Sequence, residues 1–125
     1  RRRGDLSHLH PEDENWKPLY LDVAQRVVKW NRNGNCALVV GATRPEELRL
    51  IRGEVGDTPI LIPGIGAQGG SVEATVKAGR NSSGQGMIIN SSRGIIFASS
   101  GPDFAEAAGR ATQELHDEIT KHLAA

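Results

Sequence analysis

The sequence has a single cysteine, Cys36, and therefore no intrachain disulfide. Lying in the apolar run Cys36–Val40, that thiol reads as a small core residue in a reducing compartment. Net charge is also missing: 15 Lys and Arg balance 15 Asp and Glu, so no global field draws the chain to nucleic acid or anionic lipid, and any anion site must be local. No apolar run approaches the ~18 residues of a membrane span, and no apolar segment follows the basic N-terminus as in a secretory signal. A soluble cytoplasmic chain is expected. With 125 residues, 38% of them hydrophobic, it has material for one core.

The first sixteen residues are polar, mixed in charge and free of periodicity, so 1–16 is expected to be a loop or the exposed end of a truncated chain, with residues 17–125 forming the folded part. Arg3-Gly4-Asp5 spells an adhesion tripeptide, and His8-x-His10 has a metal-binding spacing. Neither comes with supporting ligands, and no metal site is assigned.

What is present is a repeating order. Tyr20, Val23, Ala24, Val27 and Trp30 recur at helical steps, and Gly34 follows as a stop. Cys36–Val40 is continuously apolar and β-branched, which predicts a strand buried on both faces. Thr43-Arg44-Pro45-Glu46 has the spacing of a capping box and predicts a helix to about Arg52. A second strand, Pro59–Ile62, precedes a helix from Ser71 to about Gly79. A third, Met87–Ile89, is followed by Asn90-Ser91-Ser92-Arg93-Gly94 and the apolar patch IIFA. The closing helix starts near Pro102 and places Phe104, Ala108, Ala111, Leu115, Ile119 and Leu123 on one face. Strand then helix, three times, predicts an α/β fold of parallel strands: a doubly wound sheet or part of a (β/α) barrel. Both bind ligands at the C-terminal strand ends, where this chain carries GAT, PGIGAQGG and NSSRG.

Gly64-x-Gly66-x-x-Gly69 formally satisfies the dinucleotide fingerprint, but the carboxylate that should follow about 20 residues later is replaced by Asn-Ser-Ser-Arg. No Gly-Lys-Ser/Thr closes the glycine run, which excludes a P-loop. A phosphate site shared by two exits remains. Glycine amides and the helix start at Ser71 would face the anion, Gln68 would donate through its amide, and Arg93 on the neighbouring exit would supply a fixed cation.

LVVGATRPEEL, TPILIPGIGAQGG and INSSRGIIFASS resemble the C-terminal half of orotidine 5′-monophosphate decarboxylase in its longer bacterial form, from about Pro18 to the end. The resemblance implies the portion of a TIM (β/α)₈ barrel from about strand six to strand eight, in a lyase of pyrimidine biosynthesis. That family converts orotidine 5′-monophosphate to uridine 5′-monophosphate and carbon dioxide, usually as a homodimer and with no metal or organic cofactor. On this resemblance Gln68 and Arg93 grip the 5′-phosphate, the backbone at Ile65, Gly66 and Ser92 lines its pocket, and Pro63 lies beside the pyrimidine.

The family's Asp-x-Lys-x-x-Asp run and further Lys, which carry its chemistry, have no counterpart here. A barrel also needs about 200 residues or more. The chain is therefore expected to hold no catalytic residue, to bind a nucleoside monophosphate or phosphate, and to be inactive alone. Its partner would be the missing barrel half or a second copy. The alternatives are a non-catalytic phosphate-binding or interaction module on a half-barrel scaffold, and a dinucleotide-binding doubly wound domain.

Overall fold

The periodic apolar stretches become five helices and three short strands in the computed structural model, which describes residues 17–66 and 69–124. The stretch 1–16, with Arg3-Gly4-Asp5 and the His8/His10 pair, lies outside them. Helix α1 spans Leu19–Trp30, β1 Leu38–Val39, α2 Pro45–Val55, β2 Ile60–Ile62, α3 Val72–Gly79, β3 Met87–Ile89, α4 Ser92–Ile96 and α5 Phe104–Leu123. The strands are parallel and ordered β1-β2-β3, with Leu38, Ile60 and Met87 in one row and Val39, Leu61 and Ile88 in the next.

Burial separates the two sheet faces. Ile60 and Ile62 are fully enclosed, packed with Leu48, Ile51 and Val55 of α2 and with Val72 and Val76 of α3. Val39 and Ile88 are 69% and 57% exposed, so the opposite face is open. The expectation of burial on both faces of the first strand is corrected here. Helices cover one side only, and no element among the described residues covers the Val39–Leu61–Ile88 row. Sequential strand order with helices on a single face is the arrangement of a barrel wall, whereas a doubly wound sheet carries helices on both faces.

Local departures have identifiable causes. The capping box does not form: Arg44 is the N-cap of α2 and makes no side-chain cap bond, and Glu46 pairs with Arg49 at 3.1 Å. Pro45 occupies the first helical turn and holds the residue before it out of the helical region (Arg44 φ −130°, ψ 71°), which sets Thr43 one position too far out. Helix α1 ends at Trp30 with Asn31 as its cap, and the Asn31 Oδ1 accepts from the Cys36 N–H at 2.8 Å. Gly34, at φ 65°, serves the turn into β1 and does not stop the helix. Cys36 is half-buried and not a core residue. Val23 and Trp30 of the expected α1 stripe are exposed, as is Phe104 of the α5 stripe; Ala107 is the buried residue of α5.

Two buried polar side chains stand out against this core. Arg52, 8% exposed, donates from Nε to the Gly79 carbonyl at 2.7 Å, from Nη1 to those of Gly56 and Thr58 at 2.6 and 2.7 Å, and from Nη2 to that of Gly86 at 2.8 Å. It ties the ends of α2 and α3 to the segments entering β2 and β3. Thr75 is fully buried and its hydroxyl has no partner. Valine matches its shape and has a similar helix propensity, so Thr75→Val removes only an unpaired hydroxyl. The expected result is a gain of about 1 kcal/mol in urea unfolding; a loss of that size would mean that the hydroxyl is partnered.

Candidate functional site

The exits of β2 and β3 meet at the C-terminal edge of the sheet. Pro63, Gly64 and Ile65 on one side and Asn90 to Gly94 on the other line a cleft of about 110 Å³. Parallel pairing in register, Ile62 opposite Ile89, delivers both exits to the same level. The β1 exit is joined to them, since the Ala42 N–H donates to the Pro63 carbonyl at 2.8 Å.

The glycine-rich segment spends its backbone on its own shape. Gly66 N–H donates to Gly70 O at 3.1 Å, Gly69 N–H to Gly66 O at 2.7 Å and Gly70 N–H to Gly64 O at 3.0 Å. Gly64, Gly66 and Gly69 take φ of 103°, 69° and 88°, values that L side chains rarely adopt. At Gly70 the requirement is space: a Cβ there would stand 2.5 Å from Gly64 O and 2.7 Å from the Ala42 Cβ. These glycines close a compact loop, and the amides of Gly66, Gly69 and Gly70 are committed within it.

The second exit is more open. Ser92–Ile96 folds as one helical turn instead of the expected loop, with Ser91 before it making no side-chain cap. Ser92 and Arg93 are exposed and line the cleft, and among the described residues Arg93 pairs with no carboxylate. The Asn90 Oδ1 is enclosed without a hydrogen-bond partner, a state that costs about 1–3 kcal/mol. Asn90 was not singled out from the sequence; a lone Asn after a strand reads as ordinary turn chemistry, and only its burial marks it.

A neighbouring cleft of about 430 Å³ shares Ile65, Ser91 and Gly94 with the first and adds Gly66, Ser71, Val72, Glu114 and Glu118. The start of α3 opens onto this second cleft and not onto the one beside Arg93. That start is also supplied with its own acceptor, Ser71 Oγ, 3.3 Å from the Ala74 N–H, and with Glu73 in its first turn. Charge thus sorts between the two clefts: the guanidinium stands in the smaller and two carboxylates in the larger, so an anion is favoured in the smaller one.

The structure brings Pro63, Ile65, Ser92 and Arg93 together, places Gly66 on the adjoining wall, and leaves Gln68 outside the described residues. Among the described residues no group of three His, Cys, Asp or Glu side chains is arranged to hold a metal ion, and no helix is long and apolar enough to cross a membrane.

No family model matches the chain. It is 58% identical over 122 residues to the orotidine 5′-phosphate decarboxylase of Janthinobacterium sp. (strain Marseille), an alignment covering 97% of this chain and 44% of that protein. The decarboxylase of Bordetella pertussis is 59% identical over 118 residues, 93% of this chain and 42% of that protein. Among solved structures, OMP decarboxylase from Leishmania donovani superposes with a TM-score of 0.70 at 38% identity, over 93% of this chain and 43% of that one. The chain thus spans less than half the length of the curated relatives it matches, and its fold is part of a (β/α) barrel.

Proposed function

We infer that this chain, a member of the orotidine 5′-phosphate decarboxylase family, carries the part of the barrel that grips the substrate's 5′-phosphate. The observation that carries this reading is the convergence of the β2 and β3 exits on one small cleft beside Arg93, with Glu114 and Glu118 set apart in the next. Arg93 would supply a forked, permanently charged donor matched to phosphate oxygens, with Gln68 as its partner. Ile65, Gly66 and Ser92 would shape the pocket wall, and Pro63 would lie towards the pyrimidine.

A phosphate held there is remote from the bond that breaks in a decarboxylation. Its binding energy contributes to rate only when the same protein also holds the reacting end of the substrate. The segments doing so would come from the remainder of a longer barrel, whose strands would also cover the Val39–Leu61–Ile88 row and the outer edges of β1 and β3. In their absence a second copy of the chain would be the competing occupant. The setting of this function would be the cytoplasm.

Arg93→Ala is expected to weaken binding of uridine 5′-monophosphate by about 1.5–3 kcal/mol, the range for hydrogen bonds to charged groups. Titration calorimetry measures it directly, and equal affinities for the two proteins would remove Arg93 from the site.

A further inference from the structure

We infer that Asn90 is an additional anchor of this cleft, its carboxamide NH₂ donating to the phosphate monoester that Arg93 neutralises; this rests on the reading above. Asn90 is the residue immediately after β3, and it lines the cleft between the Pro63–Ile65 segment and Arg93. Its Oδ1 is enclosed in the protein with no partner. Oxygen and nitrogen diverge from one carbon, so an inward oxygen leaves the NH₂ as the end presented to the cleft.

The fold itself supplies no partner to this amide oxygen. Buried polar groups are ordinarily paired, and an unpaired one calls for a role outside folding. A neutral donor beside a guanidinium suits a dianion: it satisfies a second oxygen without setting another cation against Arg93. The inferred ligand class is a phosphate monoester, and inorganic phosphate shares its recognised end.

The two sources of the anion and the role of Asn90 are separated by titrating the 125-residue chain with uridine 5′-monophosphate and with inorganic phosphate, alongside thermal melts without ligand. Asn90→Leu is expected to weaken nucleotide binding about tenfold, which corresponds to about 1.4 kcal/mol, while melting at the same or a higher temperature. Opposite movements of affinity and stability are what a merely structural Asn would not produce. Asn90→Asp, nearly the same shape, is expected to weaken binding of both probes further, because its carboxylate opposes the anion.

Nucleotide affinity of Asn90→Leu within twofold of the parent, or a melting temperature that falls together with affinity, would overturn the inference. Should the Leu variant fail to fold, wild-type affinity in Asn90→Asp would overturn it equally. If Arg93→Ala abolishes binding while Asn90→Leu does not alter it, the phosphate site stands and Asn90 is no part of it. If the parent chain binds neither probe, both ideas fall together.

Discussion

Replacing Arg52 with Met is expected to cost about 3–5 kcal/mol in urea unfolding, the scale for disrupting a buried, fully bonded charge. Domains of this size are stable by only about 5–15 kcal/mol, so the substitution should remove a large share of the stability. The guanidinium takes four backbone carbonyls from three segments, the α2–β2 connection, the end of α3 and the residue before β3, and all four lose their donor at once. Two of them, Gly56 and Gly79, lie at the C-terminal ends of α2 and α3, where the helix dipoles favour a cation.

Burial pulls the Arg52 pKa below its ordinary value while nearby Asp57 pushes it back up. The ordinary guanidinium value lies so far above neutrality that the group stays charged there, and its contribution is not expected to titrate near neutral pH. Lysine would not substitute. It offers a point charge in place of a planar fork and reaches fewer of the four oxygens in a fixed geometry. An unfolding free energy for Arg52→Met within about 1 kcal/mol of the parent would mean that the segments find other donors and that Arg52 is not the fastening point of this end of the sheet.

The other large effect is on turnover. The chain alone is expected to show no loss of the orotate ultraviolet band when incubated with orotidine 5′-monophosphate. Supplying the remaining barrel portion of a homologous decarboxylase as a separate chain is expected to restore that loss. Enzymes gain roughly 10⁶-fold or more over the uncatalysed reaction, so presence and absence of activity should be unmistakable. The expectation follows from the share of its relatives that the chain spans, 44% of the Janthinobacterium protein, and from the place of a phosphate grip in catalysis. Binding energy at a remote group lowers a barrier only if the protein also contacts the reacting atoms. Turnover by the chain alone that disappears in Arg93→Ala would sink this account, since a contaminating enzyme would not follow the substitution.

Helices and strands were legible wherever one residue's environment depended on its near neighbours. Ser71 and the Leu115, Ile119 and Leu123 stripe of α5 set a helix start and a helix face through local capping and period, and those expectations needed little correction. The capping box at Thr43 misled because two local signals competed and Pro45, which restricts its predecessor, prevailed. Continuous apolarity in Cys36–Val40 suggested burial on both faces, but whether a second face is covered depends on what lies across it. Here Val39 is exposed.

The site divides in the same way. Arg93 and the glycine loop announced themselves by composition, whereas the commitment of the Gly66, Gly69 and Gly70 amides to one another did not, because the hydrogen bonds join residues through a backbone path that letters do not specify. Arg52 lay in no motif, and within NSSRG the signal was Arg93 and not Asn90. An Arg on a helix is usually solvated and an Asn after a strand usually turns the chain, so burial alone distinguishes them.

By itself, then, the order of residues determined the alternation of elements, the parallel sheet and the two exits on which an anion would rest, because periodicity, proline and glycine act over a few residues of chain. Tertiary structure alone decided which sheet face lies open, which cleft holds the cation and which the carboxylates, and which polar side chains are enclosed. Those depend on segments such as Pro63–Ile65 and Asn90–Gly94, distant in sequence, arriving at one place in space, where desolvation and proximity set the energies.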